Sequence, residues 1–272
     1  MKKPRSKLGQ VFLKDKNILD KIVRYADVKE GEWILEIGPG KGALTEFLLM
    51  KGANVVAFEI DPALISDLKR KYGLLLGDRF FLFEEDFLKA KIEEKLQEIG
   101  AQTPIKVVSN IPYYITTPIL TKFIQERHLF SDIFLTIQKE VARRLVAKPD
   151  TDEYGSLTLY LMMFFDVQIL FDIPKTCFRP VPKVDSSFVH LKVRENPPIN
   201  VEDPVFLEKI IRQSFGGRRK KLKTVLKHTF GKLPFGKIED ESGISLDRRG
   251  ETLSLEEFER LARTVKKYTQ DH

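Results

Sequence analysis

A single cysteine, Cys177, and four histidines spaced far apart at His128, His190, His228 and His272 are all the cysteine and histidine this 272-residue chain offers as metal ligands. An internal disulfide framework and a cysteine-built zinc site are thereby excluded, and no metal is expected. Cys177 reads as packing rather than as a nucleophile. Long apolar runs are also missing: the longest, around Leu157 to Phe165, falls well short of the roughly 18 residues a membrane span needs. The first residues, Met1-Lys2-Lys3-Pro4-Arg5-Ser6-Lys7, are basic like the start of a signal peptide, yet no apolar segment follows them. The expectation is a cytoplasmic monomer with no membrane contact.

What is present suits one sizeable α/β domain with a smaller appendage, since 42% of the residues are hydrophobic. The formal charge is +7, and clustering makes it informative. Residues 1–16 carry Lys2, Lys3, Arg5, Lys7, Lys14 and Lys16 against one acid, Asp15. A solvated basic tail is the default reading; the alternative is an arm in which Lys3, Arg5 and Lys7 reach phosphate while the apolar residues of Gly9-Gln10-Val11-Phe12-Leu13 close over a pocket. The second cluster, Arg218, Arg219, Lys220, Lys221, Lys223 and Lys227, contains no acid and fits a phosphate backbone better than a merely solvated face.

Between these clusters the chain alternates strands and helices. Asn17 is a good N-cap for a helix bearing Ile18, Leu19, Ile22 and Val23. The strand Trp33 to Ile37 runs into Gly38-Pro39-Gly40-Lys41-Gly42-Ala43 and then a helix. In such a turn, glycines let backbone approach a ligand and helix N-terminal amides face the site. About twenty residues on, a second strand, Val55 to Phe58, delivers Glu59, a carboxylate suited to ribose hydroxyls. A helix from Pro62 to about Tyr72 leads to a third strand, Phe80 to Phe83, and then to Asp86, suited to an adenine amine. A fourth strand, from Ile105, ends in Asn110-Ile111-Pro112-Tyr113. Dinucleotide dehydrogenases share the first two features. The acid after strand three and the Asn-x-Pro-Tyr after strand four match S-adenosylmethionine-dependent methyltransferases acting on exocyclic amines.

Further on, Thr117 is expected to cap a helix reaching about Arg127. Ile133 to Ile137 reads as strand five and Lys139 to Val146 as a helix. Val167 to Ile173 and Ser187 to Val193 have period two and flank the double-proline loop Phe178 to Ser186. There the Phe178 ring is either a plug of the local core or a platform for a base. After Asn196-Pro197-Pro198 the pattern is purely helical, with Phe206, Ile210 and Ile211, then Leu222, Val225 and Leu226, then Leu255, Phe258 and Leu261. The expected architecture is α/β, a Rossmann-like seven-stranded class I methyltransferase sheet over residues 17–195. A basic arm at 1–16 precedes it, and a small all-helical RNA-binding domain at 203–272 follows.

Taken together, Glu36-Ile37-Gly38-Pro39-Gly40-Lys41-Gly42, Glu59, Asp86, Asn110 to Tyr113, Gln138 to Val141 through Tyr154-Gly155, Phe178 to Ser186 and Gly217 to Lys220 resemble the bacterial small-subunit ribosomal RNA adenine dimethyltransferases across nearly the whole chain. The resemblance implies S-adenosylmethionine as cofactor. It also implies dimethylation at N6 of two adjacent adenosines in the 3′-terminal hairpin loop of 16S ribosomal RNA within the assembling small subunit. It assigns Asn110, Pro112, Tyr113 and Phe178 to the transfer, and Val11, Leu13, Gly38, Gly40, Glu59, Ile60, Asp86, Phe87 and Asn110 to the cofactor. The family usually has asparagine where this chain has Val11, which leaves that position only backbone to offer. The alternatives are a large-subunit rRNA adenine methyltransferase of the antibiotic-resistance type and a non-catalytic RNA-binding assembly factor on the same fold. The double-proline loop disfavours the first, and the joint presence of Glu59, Asp86, Asn110 and Tyr113 disfavours the second. A dehydrogenase lacks any evident hydride-transfer acid or base.

Overall fold

The computed structural model describes residues 11–196, 198–217 and 220–269. The expected RNA contacts Lys3, Arg5, Lys7, Arg218 and Arg219 lie outside these residues. In chain order the elements are β1 (Phe12–Leu13), α1 (Lys16–Tyr25), β2 (Trp33–Ile37), α2 (Ala43–Met50), β3 (Asn54–Phe58), α3 (Pro62–Tyr72), β4 (Phe80–Phe83), α4 (Ile92–Glu98), β5 (Ile105–Asn110), α5 (Thr116–Gln125), β6 (Phe130–Gln138), α6 (Lys139–Leu145), α7 (Ser156–Phe164), β7 (Phe165–Ile173), β8 (Phe178–Arg179), β9 (Ser186–Val193), α8 (Pro204–Gly216), α9 (Leu222–Phe230), α10 (Phe235–Ser242) and α11 (Leu255–Lys267).

Seven strands form one sheet in the order β4-β3-β2-β5-β6-β9-β7. The pairs β2–β3, β3–β4, β2–β5 and β5–β6 are parallel, and β6–β9 is antiparallel. The parallel strands are apolar almost throughout because helices bury both faces of such a sheet; Ile34, Leu35, Val55, Val56, Val107 and Val108 are fully buried. From β2 the chain winds outward through β3 and β4, then crosses back to β5 on the other side of β2. The topological switch point therefore lies at the carboxyl ends of β2 and β5, where open α/β sheets bind ligands.

Local chemistry sets the helix starts. Asp15, not Asn17, caps α1: its Oδ1 accepts from the N–H groups of Asn17 and Ile18 at 2.9 and 3.2 Å. Asp61 caps α3, with Pro62 in its first turn. Thr117 caps nothing, because the short helical turn Tyr113–Ile115 runs straight into α5; Thr116 Oγ1 instead donates to the Tyr113 carbonyl at 3.0 Å.

Among the described residues the chain divides into two compact units. One comprises residues up to Ala142 with Val167–Val193, and the other comprises Arg143–Asp166 with residues from Arg194 onward. The second unit thus takes in α7, whose Leu159 and Met163 share a core with Leu207, Ile210, Ile211, Phe258 and Leu261. It is also pinned by polar bonds. The Tyr154 hydroxyl donates to the Leu253 carbonyl at 2.9 Å, and Arg248 holds Glu257 through two N–H groups at 2.6 and 3.1 Å.

Two buried polar groups sit at the heart of the sheet. Ser109, 1% exposed, donates its hydroxyl to the Ile37 carbonyl at 2.7 Å and accepts the Ile37 N–H at 3.1 Å. The β2–β5 register ends at Leu35 and Val107, so the side chain stands in for the ladder where the strands part. Glu36, 2% exposed, accepts from Thr45 Oγ1 at 2.6 Å. Burial pushes its carboxyl up from 4.5 to about 8, and nearby Glu59 pushes the same way.

Ser109→Ala is expected to leave both Ile37 groups unsatisfied and to cost about 1–3 kcal/mol in urea unfolding; an unchanged midpoint would contradict the bridging role. For Glu36, the native state keeps a proton that the unfolded chain releases above about 4.5, so this group's contribution to stability falls as pH rises from about 4.5 to about 8 and is flat beyond. Glu36→Gln should therefore gain stability relative to the parent at pH 9 compared with pH 5. An equal difference at both pH values would show that Glu36 titrates normally.

Candidate active site

The switch point opens into a cavity of about 190 Å³. Its walls include Val11, Phe12 and Leu13 from the arm, Glu36 to Lys41 from β2 and the glycine turn, Glu59 and Ile60 after β3, Asp86 and Phe87 after β4, and Asn110 to Pro112 with Tyr114 after β5. The residues the sequence assigns to a cofactor are thus brought to one cavity from five separate stretches.

The glycine turn is backbone-built. Gly38, Gly40 and Gly42 all have positive φ, at 61°, 59° and 71°. At Gly40 a Cβ would lie 2.8 Å from the Phe12 ring, so glycine is also required for the arm to settle on the turn. Lys41 Nζ stands 5.4 Å from the centre of the same ring. The turn is tied to β3, because Gly38 N–H donates to the Phe58 carbonyl at 2.9 Å and Gly40 N–H to Glu59 Oε2 at 3.1 Å.

Glu59 is 4% exposed, and its Oε1 also accepts from the N–H groups of Ile60 and Asp61 at 2.9 and 3.0 Å. A carboxylate has about four lone-pair sites. With three taken, it can accept one more donor outright, and a second only if the Gly40 bond yields. Asp86 Oδ1 accepts the Leu88 N–H at 3.0 Å, closing the turn after β4. Buried Phe87 packs edge-on against Phe58, with ring centres 5.7 Å apart.

At the end of β5, Asn110 Nδ2 donates to the Val11 carbonyl at a long 3.4 Å. Its Oδ1 is shut off from bulk solvent and has no hydrogen-bond partner among the described residues of the protein. The Pro112 carbonyl accepts the Ile115 N–H at 3.2 Å, so this proline acts through its rigid ring and its φ of −61° rather than as a spare acceptor. Tyr113 is half-buried and hydrogen-bonded to Ser186; its neighbours Pro112 and Tyr114 line the cavity and Tyr113 itself does not. Burial raises its phenol pKa, and the Ser186 bond acts in the opposite direction.

The structure does not place the Phe178 ring at the cavity. The ring is fully buried because Phe178 and Arg179 pair as an antiparallel ladder with Leu13 and Phe12, which draws it into the core beside Leu13 and Ile173. Of the expected RNA contacts, Lys220, Lys221, Lys223 and Lys227 are exposed on the second unit. Lys221 pairs with Asp247 at 3.0 Å. Sequence reading missed Glu36 and Tyr114 as wall residues, whereas Phe12 closes over the cavity as the arm's apolar pattern suggests. An acid in an otherwise apolar strand was the available signal for the first. Tyr114 is 57% exposed, and its phenol is held up by burial and by the charges of Asp86 and Glu59. No helix of the described residues is long and apolar enough to cross a membrane.

The chain matches the family model for ribosomal RNA adenine dimethylase over residues 1–267. It is 40% identical over 273 residues to a ribosomal RNA small subunit methyltransferase A from Geobacillus sp. (strain WCH70), covering 96% of this chain and 91% of that protein. It is 42% identical over 262 residues to the protein of that name from Lactococcus lactis subsp. lactis (strain IL1403), covering 95% and 88%. Among solved structures, a dimethyladenosine transferase from Plasmodium falciparum aligns with a TM-score of 0.74 at 26% identity, covering 94% of this chain and 98% of that one. The 23S rRNA methyltransferase ErmE aligns with a TM-score of 0.68 at 25% identity, covering 94% and 99%. With a cavity lined by the glycine turn, two strand-end acids and Asn110, and a family match over residues 1–267, this chain belongs to the ribosomal RNA adenine dimethylases.

Proposed function

We propose that this protein transfers methyl groups from S-adenosylmethionine to the N6 amines of two adjacent adenosines in the 3′-terminal hairpin loop of 16S ribosomal RNA in the small subunit. The observation that carries the reading is the buried, unpartnered Asn110 Oδ1 at the end of β5, beside the glycine turn. A buried acceptor left unmade costs about 1–3 kcal/mol, and such a group in a native site is explained by a donor that arrives with the ligand. The small-subunit assignment is supported by 40–42% identity to proteins of that name, against 25% to the 23S enzyme.

The cavity fits the cofactor. Gly38 and Gly40 admit its backbone-facing edge, Glu59 accepts a ribose hydroxyl, Asp86 accepts from the adenine amine, and Ile60 and Phe87 flank the ring. Val11 contributes backbone and Leu13 apolar wall. When bound, the cofactor supplies an electrophilic methyl on a sulfonium. The adenine amine is a poor nucleophile because its lone pair is delocalised into the ring, so the protein's task is geometric. Asn110 Oδ1 and a main-chain carbonyl of residues 110–111 accept its two N–H groups, since the Pro112 and Tyr113 carbonyls are engaged; this draws the nitrogen toward a tetrahedral shape and aims the lone pair. Pro112 keeps that backbone rigid. Tyr113 stacks on the extruded base, worth on the order of 1–3 kcal/mol by truncation. No lysine or histidine base is required. Phe178 backs the arm, and the exposed lysines at 220, 221, 223 and 227, with Lys3, Arg5, Lys7, Arg218 and Arg219, meet phosphate.

Asn110→Ala should bind S-adenosylmethionine with near-parental affinity by calorimetry, yet lose methyl transfer to undermethylated small subunits by about 10²–10³-fold. Near-normal transfer would refute the acceptor role. Removing charge at Arg219, Lys220 and Lys223 should weaken RNA binding and reduce the slope of log K against log salt by about 0.7–0.9 for each phosphate no longer neutralised; an unchanged slope would make this cluster a solvated face.

A further inference from the structure

The loop from Phe178 to Ser186 meets the site at an unexpected point. Ser186 is fully buried, and its hydroxyl lies 2.7 Å from the Tyr113 hydroxyl, within hydrogen-bond distance. The two residues come from opposite directions: Tyr113 follows Pro112 at the carboxyl end of β5, and Ser186 opens β9 on the far side of β6.

Ser186 is the stiff partner. It is laddered to Gln138 of β6. Its neighbour Asp185 is held twice, with the carboxylate accepting the Lys175 N–H at 2.9 Å and the main-chain carbonyl accepting the Lys139 N–H at 3.0 Å. Tyr113 is the placed partner. Its Cα sits in a short turn behind a rigid proline, and its ring is only half-buried. A tyrosine held only at its Cβ swings about its side-chain torsions, and the far end of the ring moves most. A hydrogen bond at the hydroxyl, the farthest point from the backbone, gives the ring a second fixed point.

We propose that Ser186 is a positioning residue for methyl transfer: by holding the Tyr113 hydroxyl it fixes where the long axis of the ring lies, and so where the target base stacks, so that the amine lone pair stays aligned toward the methyl group. This rests on Tyr113 being the base platform. Stacking alone would be served by any aromatic ring; the tether adds orientation, and small losses of alignment are costly in a reaction catalysed mainly by geometry. On this view the double-proline loop serves catalysis through the serine at its end, while Phe178 at its start anchors the arm.

The test is a double-mutant cycle with Tyr113→Phe, Ser186→Ala and both together, with Tyr113→Ala alongside, assayed on undermethylated small subunits. Each single variant is expected to lower kcat about tenfold, with KM for subunits and calorimetric affinity for S-adenosylmethionine within about twofold of the parent, and the double variant should fall no further than the worse single. Tyr113→Ala should lose more, because it removes the ring itself. Parental kcat in Tyr113→Phe, or additive losses in the double variant, would overturn the positioning role while leaving the platform intact. Parental kcat in Tyr113→Ala would remove the platform reading, and the positioning role with it. If Ser186→Ala fails to fold, Ser186→Gly and Tyr113→Phe complete the same cycle, and parental kcat in Tyr113→Phe alone overturns the role.

Discussion

The parting of β2 from β5 is the constraint on which the site depends. Two parallel strands that stayed paired to their ends would leave no room between the glycine turn and Asn110. Here the register stops at Leu35 and Val107, and one buried hydroxyl, Ser109, satisfies both main-chain groups of Ile37. Backbone polar groups cannot be abandoned in an apolar interior. The serine therefore lets the strands diverge without that penalty, and the cavity follows from the divergence.

Around this opening the walls are made largely of main chain. Glycines at positive φ present the turn, and three main-chain N–H groups hold the Glu59 carboxylate in place before any ligand arrives. Glu36 is part of the same wall, and its raised pKa keeps a third charge away from Glu59 and Asp86. The arm completes the enclosure. Phe12 rests on Gly40, Val11 offers its carbonyl to Asn110, and residues 12–13 pair with 178–179. One short segment thus touches the turn, the acceptor asparagine and the double-proline loop.

Much of this is legible in the residues alone. The limits of β2 at Trp33 and Ile37, of β4 at Phe80 and Phe83, and of α3 at Pro62 and Tyr72 agree with the sequence reading, because strands of a parallel sheet are nearly continuous apolar runs and Asp61-Pro62 is a strong helix start. The acids and the asparagine are legible because each directly follows such a strand. The two-residue strands β1 and β8 are not, since two residues carry no periodicity and their pairing joins segments over 160 positions apart. The short helices α4 and α10 escape for a similar reason: each spends only one or two turns on an apolar face. At Phe178 the sequence leaves plug and platform both open, and pairing with the arm resolves the choice toward the core.

The sequence by itself determined the fold class, the strand ends that bear the chemistry and the family, because these are written in local pattern and in motifs a few residues long. Tertiary structure decided what no local pattern holds. It chose which aromatic is buried and which is presented, how many lone pairs Glu59 has left to offer, that Asn110 keeps an unpartnered oxygen, and that Ser186 reaches Tyr113. Each of these is a hydrogen-bond or packing relation between residues distant in the chain, and such a relation exists only once the sheet order has brought them together.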